Sequence, residues 1–198
     1  MLRVFFIFAA IGVSLFLVSC NTLSKKECLA GDWKGIGFSD GFEGHSPEAR
    51  FEGHIKSCKR VKIVPDLALW KKGYHAGLLR YCTPGYGLWW GQRGYRYVGV
   101  CPPETEPGFL RGHHVGYQWY FRKSQVERFE NERKSMEEEI EDLSEKWERA
   151  PEAERRDIES DISLLKLKLR GSVSTELSFA RDALDIAEQN VRQFESEL

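Results

Sequence analysis

Apolar residues recur at alternating steps of three and four residues along the last part of the chain. The spacing holds over 119–150 and resumes over 158–198. Such spacing aligns apolar side chains into one seam along a helix and is typical of coiled coils. The pattern predicts two long helices, over residues 106–149 and 152–197.

Pro151 interrupts the seam between these two helices. A proline ring clashes with the carbonyl four residues earlier, so Pro151 either kinks the helix or starts a new one. Helices of nearly equal length on either side favour an antiparallel hairpin. The competing geometry is a kinked rod whose seam pairs with other copies. The hairpin is favoured because one chain supplies both seams and loses no entropy of association. Three successive steps of four near Gly171 predict a local stutter.

Ahead of the coiled coil, the apolar positions predict short helices with one buried face. Ser24–Glu27 has the pattern of a capping box, which starts a helix. Ser46-Pro47 and Pro65-Asp66 have the residue types that begin two further helices. The stretch Tyr95–Cys101 alternates apolar and polar residues instead. It predicts a short extended segment that closes against Cys82.

The first twenty residues have the pattern of an export signal. Arg3 precedes an apolar run that is too short for a membrane-spanning helix. The run ends in Leu17-Val18-Ser19-Cys20, which matches the lipoprotein box at all four positions. We therefore expect the mature chain to begin at Cys20 and to carry acyl chains on that residue, which anchor it stably to a membrane. The competing interpretation is an ordinary signal peptide cut near Ser19, which would leave a soluble periplasmic protein.

The residue after the lipid-bearing cysteine bears on the location of the protein. Asn21 stands where an aspartate usually marks retention in the inner membrane of enteric bacteria. Its identity favours the outer membrane, with the protein facing the periplasm. The alternative is an inner-membrane anchor with the same periplasmic orientation.

Composition divides the mature chain near residue 120. Residues 21–120 contain 16 of the 18 glycines, all seven tyrosines, all five histidines and five of the six tryptophans. They carry 14 lysines and arginines against 9 acids, whereas residues 121–198 carry 14 against 21. The chain therefore divides into a signal peptide (1–19), a basic head (20–120) and an acidic coiled-coil tail (121–198).

Four cysteines remain in the head after Cys20 is assigned to the lipid: Cys28, Cys58, Cys82 and Cys101. An even number of cysteines in a small exported domain predicts two disulfides. Three pairings are open, and the shortest loops come from Cys28 with Cys58 and from Cys82 with Cys101. The spacings contain no Cys-x-x-Cys pair, which disfavours a zinc ribbon and a thioredoxin-type redox centre.

Glycines four residues apart form a weak internal repeat in the head. The pairs are Gly37/Gly41, Gly73/Gly77, Gly87/Gly91 and Gly112/Gly116, with Gly31/Gly35 and Gly108/Gly112 in addition. Glycines one helical turn apart leave a flat strip on which another backbone can lie. The repeat predicts tight helix packing beneath aromatic side chains.

These motifs together resemble a bacterial lipoprotein family known only as domain of unknown function 2799. The resemblance covers about residues 20–120 and is carried by Glu27-Cys28, Asp32-Trp33, Gly37–Gly41, Cys58, Gly73-x3-Gly77-Leu78, Tyr81–Pro84, Gly91-x2-Gly94, Tyr97-x-Gly99-Val100-Cys101-Pro102 and Gly112-x3-Gly116. It implies a Gram-negative envelope lipoprotein with a disulfide-linked head. It brings no activity and no catalytic residue.

Groups with catalytic or metal-binding chemistry are few. Four acids could supply paired carboxylates for sugar hydrolysis, namely Asp32, Asp40, Glu43 and Glu52. Helix capping and solvation explain the same acids. The histidines His75, His113 and His114 lack the four-residue spacing of a helical metal pair. We therefore assign no catalytic residue, metal or cofactor, and we do not expect an enzyme.

Taken together, the sequence predicts a mainly α protein. A small, disulfide-linked, glycine- and aromatic-rich helical head precedes a long antiparallel helical hairpin. The expected role is structural or interaction-based, with the tail contacting an envelope protein through its seam or its acidic face. The alternative is a module that binds peptidoglycan or another glycan through Trp33, Trp89 and Trp90. A periplasmic glycan hydrolase is a third hypothesis, and no nucleic-acid partner is expected.

Overall fold

The computed structural model describes residues 21–198, so the signal peptide and the lipidation predicted at Cys20 lie outside the described residues. The helices are α1 (Lys25–Ala30), α2 (Trp33–Phe42), α3 (Pro47–Cys58), α4 (Leu67–Tyr81), α5 (Pro84–Gln92), α6 (Glu106–Arg149), α7 (Glu152–Lys168) and α8 (Ser174–Ser196). A 3-10 turn follows α3 at Lys59–Val61, and a π-helical turn joins α7 to α8 at Leu169–Val173. Residues 21–198 include no strand, which confirms the mainly α prediction.

Three helices of the head, α1, α3 and α4, begin at the predicted residues. At α1 the Glu27 amide donates to Ser24 Oγ and the Ser24 amide donates to Glu27 Oε2, which completes the capping box. Asp66 caps α4 through its side chain. Pro47 occupies the first turn of α3, where a missing N–H costs nothing, although Ser46 makes no side-chain capping bond there.

Glycines hold α2 and α4 in direct backbone contact. Gly37 and Gly41 lie against the carbonyls of Trp70 and Tyr74, and Gly73 and Gly77 lie against those of Lys34 and Phe38. A methyl group at any of the four glycines would overlap the backbone of the other helix. Only glycine therefore allows these helices to approach so closely, as the spacing predicts.

A second pair, α5 and the first turns of α6, packs in the same way. Gly87 and Gly91 lie against the carbonyls of Phe109 and His113, and Gly112 and Gly116 lie against those of Pro84 and Leu88. Four of the six predicted glycine pairs thus supply the backbone contacts of the helix crossings. Gly31 and Gly35 do not, since Gly31 ends α1 and Gly35 lies against the Asp32 side chain. The head is built from two such crossings, joined by the turn between α4 and α5.

Two disulfides close the head, with the pairing that gives the shortest loops. Cys28 is bonded to Cys58 and Cys82 to Cys101, with Cα atoms 5.4 Å and 5.6 Å apart. The first bond joins α1 to the end of α3, and the second joins the end of α4 to the loop before α6. All four cysteines belong to the main buried cluster, where Trp70, Tyr81 and Phe109 are the largest fully buried side chains.

The loop before α6 forms no strand, but the Cys82–Cys101 disulfide closes the segment Tyr95–Cys101 against Cys82, as the sequence predicts. Gly94 and Gly99 at its ends have φ values of 70° and 76°, which break an extended course. The Tyr97 hydroxyl donates to Glu106 Oε1 and accepts from the Cys101 amide, each at 2.8 Å. The partly buried Tyr97 side chain therefore organises this loop, which the alternation of apolar and polar residues alone does not predict.

The tail is the predicted antiparallel hairpin. Helix α6 begins within the head and runs unbroken for 44 residues, a length of about 66 Å at 1.5 Å per residue. Val126 on α6 is buried against Leu177 and Ala180 on α8. Nearby, Arg181 donates to Glu130 across the seam at 2.8 Å. One chain thus supplies both sides of the seam.

The two irregular points of the hairpin follow from its sequence. Ala150 is extended, with φ −76° and ψ 147°, because the residue before a proline avoids the helical region. After Pro151 the chain starts α7 in the opposite direction. The predicted stutter near Gly171 is the π-helical turn at Leu169–Val173. Its wider turn accommodates the shift in spacing and keeps Val173 buried at 3% exposure.

We predict that Gly73→Ala destabilises the protein by about 3 kcal/mol, because the new methyl group would overlap the Lys34 carbonyl and push α2 and α4 apart. Gly171→Ala is the matched control, since no atom lies within 4 Å of a Cβ at that position. The control should be neutral or stabilising by up to about 1 kcal/mol. Urea unfolding followed by far-ultraviolet circular dichroism measures the stability of both variants. Equal stabilities would contradict the close backbone contact between α2 and α4.

Candidate functional site

A buried cluster of polar side chains lies where the chain enters the head. Asp40 on α2 accepts hydrogen bonds from His54 Nε2 at 2.7 Å, Trp70 Nε1 at 2.8 Å and Arg50 Nε at 2.6 Å. Asp40 is 2% exposed and His54 is fully buried. Burial alone would raise the pKa of Asp40, but these hydrogen bonds outweigh it and hold the pKa below its ordinary value.

The cluster extends to the first residues of the described chain. Thr22 Oγ1 lies 2.8 Å from His54 Nδ1, and the Thr22 amide donates to Ser57 Oγ at 3.0 Å. The next residue, Leu23, is buried, and its carbonyl accepts from Arg60 Nη2 at 2.6 Å. Residues 22 and 23 are therefore fixed to the head, only two residues after the predicted lipid-bearing cysteine.

Hydroxyl, imidazole and carboxylate in this order also form catalytic sites that activate a nucleophile. In this cluster the carboxylate of Asp40 has two further donors, Trp70 and Arg50. The Thr22 hydroxyl also lies 3.2 Å from Ser57 Oγ. Because these groups are paired within the cluster, the arrangement fits the attachment of the chain start better than the activation of Thr22.

We predict that Asp40→Asn lowers the free energy of unfolding by about 3 kcal/mol at pH 7, because an amide cannot accept from His54, Trp70 and Arg50 together. A carboxyl whose pKa is lowered by folding contributes stability above its ordinary pKa of about 3.9, and that stability is lost as the pH falls through the lower, folded value. The difference in the free energy of unfolding between the wild type and Asp40→Asn should therefore become smaller below about pH 4.

Asp66→Asn is the control for this change, because asparagine caps a helix as well as aspartate does and Asp66 caps α4. Urea unfolding of the three proteins across the acid range measures the effect. If the difference in unfolding free energy between the wild type and Asp40→Asn stayed constant down to the lowest pH, Asp40 would not be ionised in the folded protein as we infer.

Cations surround the point where the chain enters the head. We call the exposed residues within 22–30 and 54–64 the basal surface, because the Cys28–Cys58 disulfide joins these two segments. Its charged residues are the six cations Lys25, Lys26, Lys56, Lys59, Arg60 and Lys62 and the single acid Glu27. Two apolar side chains, Leu29 and Val64, are 65% and 85% exposed there. This combination suits contact with an anionic, partly apolar surface.

The three tryptophans proposed to hold a glycan do not form one surface. Trp33 is 6% exposed within the main core, and its burial removes it from the predicted glycan platform. Trp90 packs against the rings of Tyr81 and Tyr95. Trp89 is 39% exposed, but the Arg93 guanidinium lies 3.6 Å from its ring centroid. Glycan binding by Trp89 and Trp90 stays a prediction.

The acids considered for catalysis have separate partners. Asp32 caps α2 by accepting from the Gly35 amide at 2.9 Å. Glu43 lies 2.8 Å from His45, and Glu52 lies 3.7 Å from Lys56. Asp40 belongs to the buried cluster. Asp32, Glu43 and Glu52 therefore have the helix-capping and surface roles that were the alternative to catalysis. The burial of Asp40 and its three donors were not predicted from the sequence.

The three histidines considered as metal ligands have different surroundings. His113 Nε2 lies 2.8 Å from the Tyr95 carbonyl, and its ring stacks between Phe109 and Tyr117. His75 and His114 are exposed. Residues 21–198 hold no group of three histidine, cysteine or acidic side chains arranged to bind a metal ion.

The far end of the hairpin carries a concentration of negative charge. Residues 137–161, which we call the hairpin tip, contain twelve acids and four cations on either side of Pro151. The stretch 137–142 supplies five of these acids without a cation between them. Because α6 begins in the head and ends at the tip without a break, this acidic surface lies at the end of a helix that is continuous with the head.

Comparison with known proteins identifies one related family. Residues 32–118 match a family described as "Protein of unknown function (DUF2799)". The match contains both glycine crossings and supports the resemblance predicted for the head, while the lipoprotein character stays a prediction. No curated protein and no solved structure matches the chain. Within residues 21–198, none of the helices combines the length and apolarity that crossing a membrane requires.

Proposed function

We propose that the protein is a lipid-anchored envelope component with a structural or protein-binding role, in which Cys20 carries the lipid and the hairpin projects away from the membrane. The observation that carries the proposal is the attachment of Thr22 and Leu23 to the head. A residue advances at most about 3.6 Å along the chain, so a lipid on Cys20 would lie within about 7 Å of the bound Thr22. The head would therefore rest directly against the membrane.

Charge supports this orientation. The basal surface has six cations and one acid, and each cation near an anionic membrane contributes about 1 kcal/mol of attraction. The hairpin tip has twelve acids and four cations, which the same membrane repels. The two ends of the molecule thus favour one arrangement, with the basal surface towards the lipid and the tip away from it.

The hairpin supplies a rigid element that reaches a partner. Helix α6 has no break between the crossing at Gly112 and Gly116 and its end at Arg149. Its part beyond Phe121 is about 42 Å long. An envelope protein with a basic surface is the partner that fits the exposed acids of the tip.

The role we propose is not enzymatic. The polar groups of the buried cluster pair with one another, and the other candidate acids cap helices or lie at the surface. A binding role through the tip needs none of these groups.

The proposal predicts that the chain extracted from bacterial membranes begins at an acylated Cys20 and contains four oxidised cysteines. Intact-mass spectrometry before and after reduction and alkylation measures both properties. Cys20→Ala is the control and should lose the acyl chains. A purified chain that kept its first nineteen residues, or whose remaining thiols all reacted freely, would overturn the anchoring.

Photo-cross-linking from Glu139 in cells tests the binding role. We expect one partner to be captured in membrane fractions. The triple variant Glu138→Lys, Glu141→Lys, Asp142→Lys, with the cross-linker kept at position 139, should lose it. The matched control reverses three exposed acids of α8, Glu176, Asp182 and Asp185, and should keep the partner. Equal capture by both variants would reject the tip as the binding surface.

A further inference from the structure

The two glycine crossings are two copies of one structural unit. Residues 35–44 and 85–94 share the pattern Gly-x-Gly-x3-Gly-x2-Gly. Residues 73–81 and 112–120 share the pattern Gly-x-His-x-Gly-x3-Tyr. We call 35–45 with 69–81 the first unit and 85–95 with 108–120 the second unit. Positions correspond at a constant offset within each segment, which predicts equal contacts in the two units.

The two units also share contacts outside the glycine crossings. In both units the last glycine of the first segment has a positive φ and lies against the final tyrosine ring, as Gly44 (66°) does with Tyr81 and Gly94 (70°) with Tyr120. In both units a side chain of the second helix bonds the carbonyl after that glycine, as Tyr74 does with His45 at 2.6 Å and His113 with Tyr95 at 2.8 Å. The correspondence is therefore one of structure and not only of glycine spacing.

In the second unit, one face of the helix pair is covered by the end of α8. Leu88 is only 4% exposed because Val191 and Phe194 of α8 pack on it, together with Val115 and Trp119 of α6. The second unit thus shows what this face of the helix pair accepts, namely the apolar side of an amphipathic helix.

In the first unit the corresponding face is open. Phe38 takes the position of Leu88 and is 42% exposed, and Ala76 takes the position of Val115. Two further apolar residues enlarge it, since Phe42 (40% exposed) replaces Gln92 and Leu69 (45% exposed) replaces Gly108. We call Phe38, Phe42, Leu69, Ala76 and Arg80 the first-unit groove. None of the helices described between residues 21 and 198 covers Phe38 as α8 covers Leu88.

We propose that the first-unit groove binds an amphipathic helix of a partner protein, with apolar residues at the spacing i, i+3 and i+7. This is the spacing of Val191 and Phe194 in α8 and of Leu198 just beyond its end, which reach Leu88 and Gly85 of the second unit. Amphipathic helices lay their apolar face into hydrophobic grooves, and phenylalanine is among the residues enriched at the cores of protein interfaces.

Charge defines the partner further. Lys34 and Arg80 of the first unit correspond to the uncharged Pro84 and Trp119 of the second unit. The first-unit groove therefore has two cations that its covered counterpart lacks. A partner helix with acids beside its apolar stripe fits this arrangement. A second copy of the chain does not fit it, because its α8 already covers its own Leu88.

A peptide of residues 184–198 with a benzophenone at position 194 provides a probe, because this segment carries the apolar stripe and has acids at Glu188 and Glu195. Mixed with the full chain and irradiated, it should cross-link to the first-unit groove. Ala76→Arg should reduce this cross-linking about tenfold by filling the groove. His75→Arg introduces the same charge at an adjacent exposed position outside the groove and should leave it unchanged.

Thermal unfolding of both variants checks that neither substitution disturbs the fold. Cross-links confined to Leu88, Val115 and Trp119 would mean that the peptide only replaces α8, and they would overturn the proposal. So would the absence of cross-links, equal cross-linking in both variants, or a dimer of the wild-type chain in sedimentation that Ala76→Arg abolishes. None of these results depends on the lipid at Cys20 or on the hairpin tip.

Discussion

The close approach of helix backbones at the two glycine crossings is the constraint on which the rest of the head depends. At each crossing four glycines lie against carbonyls of the opposing helix, so the distance between the helices is set by backbone atoms and not by side chains. The aromatic side chains then fill the space beside the crossings, where Trp70 and Phe109 occupy corresponding buried positions. A short, glycine-rich chain thereby obtains a dense core, which the two disulfides reinforce.

The same constraint positions the functional surfaces. The first crossing carries Asp40, whose hydrogen bonds through His54 hold Thr22 and hence the start of the chain. The second crossing is made by α6, which continues into the hairpin without a break. The first crossing fixes the start of the chain and the second fixes the hairpin. An anchored chain would therefore hold its acidic tip at a defined distance from the membrane. Of the two corresponding apolar faces, the one at Leu88 is covered by α8 and the one at Phe38 is open.

Strong local patterns allowed much of this fold to be predicted. The heptad spacing identified both hairpin helices, and Pro151 identified the turn between them, because helix periodicity and proline geometry act within a few residues. The buried cluster was not predictable in this way. Asp40, His54 and Thr22 have no distinctive spacing, and only their burial around one carboxylate reveals their role. The burial of Trp33 and the irregular course of Tyr95–Cys101 likewise follow from contacts with distant residues.

The sequence by itself determined the helical class, the division into a basic head and an acidic tail, the two long helices and the use of glycine for close packing. These properties depend on composition and on interactions between residues one or two turns apart. The tertiary structure alone decided which cysteines pair, which glycine helices cross, which acid is buried and which apolar face lacks a covering helix. Each of these outcomes joins residues that are distant in the chain, and only the folded packing brings them together.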